Sequence, residues 1–179
     1  MKCPRCGSEI TDKSLFRDIC REYYYFSNYP FAELTSLDTK SCLRFCSYGY
    51  EYANITSRDD DWHMSYLLLT LPSFRHEINE AIYVGNHIVW CIKELHKFLD
   101  CEIKKVSFEP YEPYFGINLS LKARKRVIVK GFAGNPDIRN GPKLKYEFES
   151  DISIIDKFTK GLESIIAKYP TRVLRLPER

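Results

Sequence analysis

The chain has 179 residues, 44% of them apolar, which is enough for one domain with a genuine core and excludes a disordered chain. No run approaches the ~18 apolar residues of a membrane span, and the opening MKCPRCGSEI lacks the apolar stretch of a signal peptide. Net charge is only +3, but residues 116–179 hold 14 basic against 7 acidic residues and residues 41–115 hold 7 against 11, so an acidic middle precedes a basic final third.

The first motif is Cys3-Pro4-Arg5-Cys6-Gly7. Two thiolates two residues apart can share one Zn²⁺ because the turn between them points both sulfurs inward. Pro4 pre-sets that turn and Gly7 accepts the positive φ that follows. The chain has seven cysteines and no secretory leader in view, so a reduced, cytoplasmic setting is expected and metal binding is favoured over a disulfide. A closed structural zinc site needs four ligands, and the sequence offers no second Cys-x-x-Cys. Cys42 and Cys46 are assigned as the other half. In an extended strand they would lie roughly 13 Å apart, so they can share an ion only across a turn or bulge. Cys20, on the apolar face of a helix, and a second knuckle across a dimer are the alternatives. Cys91 and Cys101 read as small buried residues.

Residues 12–25 place Leu15, Phe16, Ile19, Cys20 and Tyr23 on one face and predict a helix. Residues 26–40 show no period and read as a loop, so the chain divides into a knuckle segment over 1–40 and a second domain over 41–179. That domain opens with a strand from Cys42 that breaks near Gly49. A polar loop, Ser57–Asp61, leads into Trp62–Leu71, a strand partly buried on both faces. Phe74–Tyr83 returns as a further strand.

Asn86 is a candidate N-cap for a helix whose Ile88, Ile92, Leu95 and Leu99 form one apolar stripe. Strands follow at 103–109, 114–123, 126–132 and around Leu144–Phe148. The densest basic run, Lys122-Ala-Arg-Lys-Arg126, reads as a hairpin turn between two of them. Ser150 or Ser153 caps a last helix with Ile155, Phe158, Leu162 and Ile165 on its buried face. The expected fold is α+β: a mainly antiparallel sheet of about six or seven strands with two packed helices, plus the small N-terminal knuckle and helix.

No catalytic constellation emerges, and no enzyme is expected. The four histidines, 63, 76, 87 and 96, are scattered, and there is no glycine-rich phosphate loop, nucleophile elbow or HExxH. Glu109-Pro-Tyr-Glu112 sets two carboxylates three residues apart at a strand end, with no nucleophile beside them. Asp59, Asp60, Asp61 and Trp62 combine an aromatic anchor with an acidic rim. With Glu109 and Glu112 they form the candidate partner-binding patch, suited to steering a basic protein.

Five pieces in order resemble the WapI-like immunity family over residues 43–172. They are Tyr48-Gly49-Tyr50-Glu51-Tyr52, Asp60-Asp61-Trp62, Glu94-Leu95-His96-Lys97-Phe98-Leu99, Phe108-Glu109-Pro110-Tyr111-Glu112 and Tyr169-Pro170-Thr171-Arg172. The resemblance implies a non-enzymatic protein that binds and occludes a polymorphic or contact-dependent toxin. The knuckle over residues 1–40 lies outside that pattern, and the net positive charge departs from the acidic character expected of a nuclease inhibitor. The alternatives are a zinc-ribbon-like module that binds nucleic acid or a nucleic-acid machine, and a domain whose zinc is purely structural.

Overall fold

In a computed structural model of the chain, residues 18–52, 61–82, 85–109, 115–134 and 143–170 are described. A helix, α1 (Asp18–Asn28), precedes a four-stranded antiparallel meander: β1 (Phe31–Thr35), β2 (Cys42–Tyr52), β3 (Asp61–Leu71) and β4 (Phe74–Ile82). Helix α2 (Gly85–Leu99) follows. A second antiparallel meander is then built from β5 (Lys105–Phe108), β6 (Phe115–Leu121), β7 (Arg126–Ala133) and β8 (Leu144–Asp151), and α3 (Ile152–Lys168) is the last described element. The α+β class is as expected, but among the described residues the strands number eight and form two sheets. The additional strand is β1. It has only two fully buried side chains, Ala32 and Leu34, so it is too short to show a period in sequence. Its whole length pairs with β2, so the expected boundary at residue 40 falls inside the β1–β2 connection. No helix among the described residues is long and apolar enough to cross a membrane.

Alternation along each strand sorts side chains between the core and the outside. In the first sheet Ala32, Leu34, Leu43, Phe45, Leu67 and Leu69 face inward. Tyr66 and Leu68 point to the opposite face and are also buried, which makes β3 the doubly buried strand its composition suggested. β2 does not stop at Gly49. Ser47 pairs with Ser65 and Gly49 with Met64, leaving Tyr48 as the extra residue of a bulge, and pairing runs on to Tyr52.

The second sheet contributes Val106, Phe108, Phe115, Ile117, Leu119, Val127, Val129, Tyr146 and Phe148 to the same core. Hydrogen bonds at both ends of the β7–β8 pair set how the sheets cross, and the Leu37 N–H just beyond β1 also donates to the Glu149 carbonyl at 2.9 Å. Ser150 Oγ donates to the Thr35 carbonyl at 2.7 Å, tying one end of the β7–β8 pair to β1. His76 Nε2 donates to the Gly134 carbonyl at 2.9 Å, tying the other end to β4. Because β1 and β4 are opposite edges of the first sheet, β7 and β8 run across its strands.

The stripe expected of α3 is the one that packs: Ile155, Phe158, Leu162 and Ile165 are buried. On α2 the buried face is rotated slightly from the expected one: Ile88 and Leu95 are buried as expected, with Cys91 and Phe98, while Ile92 and Leu99 are only partly buried. Burial of each such side chain is worth about 1.5–3 kcal/mol. The cap of α3 is Asp151, whose carboxylate accepts from the Ser153 amide at 2.8 Å; Ser150 is occupied with Thr35, and Ser153 lies within the helix. Gly161 lets α3 lie directly on β1, since a Cβ there would sit 2.6 Å from Ala32 Cα. Helix α2 begins at Gly85, so Asn86 falls inside its first turn. Cys101 follows that helix at φ 62° and is exposed, unlike Cys91, because it occupies the left-handed position at a helix end.

Candidate partner-binding site

Of the four cysteines assigned to zinc, Cys3 and Cys6 lie outside the described residues. Cys42 and Cys46 lie on β2, paired with Thr35 and Phe31 on one side and with Thr70 and Tyr66 on the other. The strand is regular between them, and its bulge comes only after Ser47, so the turn that would bring the two sulfurs together is not there. Burial pushes both thiols up to about 12, Cys42 with a further push from the Glu33 carboxylate, and the Cys46 thiol donates to the Tyr25 carbonyl at 3.7 Å. Among the described residues no group of three or more His, Cys, Asp or Glu is placed to hold a metal ion.

The candidate acidic-aromatic patch is divided between the two sheets. Asp61 and Trp62 open β3, opposite Tyr52 and Glu51 of β2. Glu109 is exposed just beyond β5, in the second sheet. Asp59, Asp60 and Glu112 lie outside the described residues.

The histidines supply no acid–base centre among the described residues. His63 is fully buried, and its Nδ1 lies 2.9 Å from Ser47 Oγ, which also lies 3.2 Å from the Gly49 carbonyl. Ser65 Oγ donates to the His63 carbonyl at 3.1 Å. Burial lowers the His63 pKa to about 4, so the ring is neutral at physiological pH. A serine and histidine this deep cannot meet a substrate, and the cluster acts as internal polar bracing beside the β2 bulge. His96 Nε2 meets Glu163 at 2.8 Å on the exposed seam between α2 and α3.

Two surfaces stand out that sequence reasoning did not single out. The first is where α1 lies on the outer face of the first sheet. Tyr25 stacks on Tyr66 with ring centroids 4.6 Å apart, and Phe26 packs on Tyr66 and Phe31. Arg44 lies over Phe26 and forms ion pairs with Glu33 and, at 2.7 Å, with Glu22, which also pairs with Arg75 at 3.0 Å. Tyr23, Tyr24 and Phe31 remain exposed at its margin, and Trp90 is exposed on α2. Trp90 was legible: it stands two residues past Ile88, off the apolar stripe.

The second surface is the outer face of the second sheet. Register places Lys105, Ser120, Ile128 and Glu149 in one row, and Ser107, Asn118, Lys130 and Glu147 in the next. Gly116, Phe132 and Lys145 make a third. Lys130 pairs with Glu147 at 3.0 Å, and Arg126 and Lys122 reach Glu149 at 3.2 and 3.7 Å. Lys143 Nζ caps the Phe132 ring at 4.3 Å. Lys122–Arg126 is the expected tight turn, closed by Lys122 N–H donating to the Arg126 carbonyl at 2.7 Å, with Lys125 at φ 64°.

Residues 34–170 match the Immunity protein WapI-like family. No curated protein sequence matches the chain. Among solved structures, the chain is distantly similar in backbone arrangement to one described as crystal structures of Trypanosoma bruciei MRP1/MRP2. Identity is 10%, coverage is 85% of this chain and 94% of that one, and the TM-score is 0.40.

Proposed function

Because the chain belongs to the WapI-like immunity protein family, we propose that it neutralises a polymorphic or contact-dependent toxin by binding it in the cytoplasm, without chemistry of its own. The family match carries this reading. It runs from the end of β1 to the end of α3, so all but the start of the two-sheet body lies within the family match. The character of the described surface supports it. Aromatic side chains of the kind that anchor protein interfaces stand exposed at Tyr23, Tyr24 and Trp90, while the one serine–histidine pair among the described residues is sealed in the interior.

Co-expression tests the proposal directly. A cell producing the toxin domain encoded beside this chain's gene should survive only when the chain is present, and the two purified proteins should form a stoichiometric complex on size exclusion. Toxicity that the chain leaves unchanged, with no complex formed, overturns it.

A further inference from the structure

We propose that the solvent face of the second sheet is where the toxin docks, and that it takes a protein surface rich in carboxylates; this rests on the toxin-binding reading above. The described surfaces differ in charge. The outer face of the first sheet is balanced, with Glu22 and Glu33 set against Arg44 and Arg75 in one network. On the exposed helix faces Lys97 pairs with Glu94 and Lys160 with Asp156, which leaves Lys93, Lys157 and Lys168 as scattered cations. The second sheet and its turns carry Lys104, Lys105, Lys122, Lys125, Arg126, Lys130, Lys143 and Lys145, all exposed, against Glu109, Glu147, Glu149 and Asp151. Asp151 is already engaged as the cap of α3. Lys104, Lys105, Lys143 and Lys145 form no ion pair with a carboxylate among the described residues. Six of the basic residues of the final third stand on this sheet and its turns with Lys104 and Lys105, and strand spacing holds Lys105, Lys130 and Lys145 on a fixed grid about 5 Å per strand apart.

Two features favour a protein over a nucleic acid. Glu147 and Glu149 lie among the cations, so a continuous phosphate backbone laid across the face would meet like charge. An acidic protein surface can instead match each side chain separately. Bases also need exposed rings on which to stack, and among the described residues the face offers only Phe132, already capped by Lys143.

The test uses full-length protein and, as probe, the toxin domain encoded beside its gene. In Lys105→Glu/Lys130→Glu/Lys145→Glu, association at low salt should slow at least about tenfold and lose most of its salt dependence, with circular dichroism unchanged. The control Lys93→Glu/Lys97→Glu/Lys160→Glu, on the helices, should stay within about twofold of the parent. Unchanged association in the sheet variant overturns this surface and leaves neutralisation standing. So does slowing found instead in Asp59→Asn/Asp60→Asn/Asp61→Asn. A parent chain that neither binds nor neutralises the probe overturns both readings. Tight retention of a 20-nucleotide strand that the sheet variant loses overturns the protein partner in favour of nucleic acid.

Discussion

The ring of Tyr25 lies against that of Tyr66, centroids 4.6 Å apart and planes at 18°, and so joins a helix outside the family-matched residues to a strand inside them. Beneath this stack the Cys46 thiol is sealed and donates to the Tyr25 carbonyl. Tyr25→Ala should therefore loosen α1 and raise the alkylation rate of Cys46 at pH 8 at least about tenfold, because solvation lets a thiol held near 12 return toward its ordinary value. Peptide mass mapping after timed iodoacetamide treatment reads this. An unchanged Cys46 rate would show that the helix is not what shields it.

Leu95 and Phe158 are buried in the common core, on α2 and α3 respectively. Truncating either to Ala removes methylenes from a packed site and should cost about 2–5 kcal/mol in urea unfolding. A loss under about 0.5 kcal/mol would place that side chain outside the core.

His63 sets a pH dependence with a definite sign. Burial lowers its folded pKa to about 4, while the unfolded chain takes up the proton near 6.5. The unfolded state thus binds more protons between those values, so the stability from His63 is complete above about pH 6.5 and falls as pH drops toward 4, by about 3 kcal/mol in all. Urea midpoints measured from pH 7.5 to 4 should show this slope, and His63→Asn should flatten it. An equal slope in the variant would assign the dependence to other groups.

Metal content should not depend on β2. Cys42→Ser and Cys46→Ser should leave elemental zinc per chain at the parent's value, because a regular strand holds the two sulfurs apart. Zinc lost in either variant would mean that β2 rearranges around an ion.

Most elements announced themselves. The stripes Ile88–Leu99 and Ile155–Ile165 and the alternation of Phe115 through Leu121 are strong periodic signals, and the helices and strand follow them. β1 escaped because five residues with two inward side chains give alternation too little length. The division into two sheets escaped because sequence shows which strands exist, whereas their grouping depends on distant contacts such as His76 with Gly134. The last helix cap fell to Asp151 over two nearby serines because Ser150 was claimed by Thr35, a partner 115 positions away. Surface chemistry was half legible. Lysines alternating with inward apolar residues in the second sheet mark one face, but only the register shows Lys105, Lys130 and Lys145 on the same one.

The seat of α3 on β1 has a consequence for the order of events during synthesis. Gly161 rests on Ala32, and about 120 residues separate the strand from the helix that covers it. At about 5–20 residues per second, the ribosome leaves that edge uncovered for about 6–24 s after β1 emerges. Throughout that interval the first sheet presents a bare apolar edge strand, the feature most open to mispairing with a neighbouring chain. The nascent protein therefore becomes whole only when its final turn of helix leaves the exit tunnel, and a chain cut short before α3 would be left with an adhesive edge.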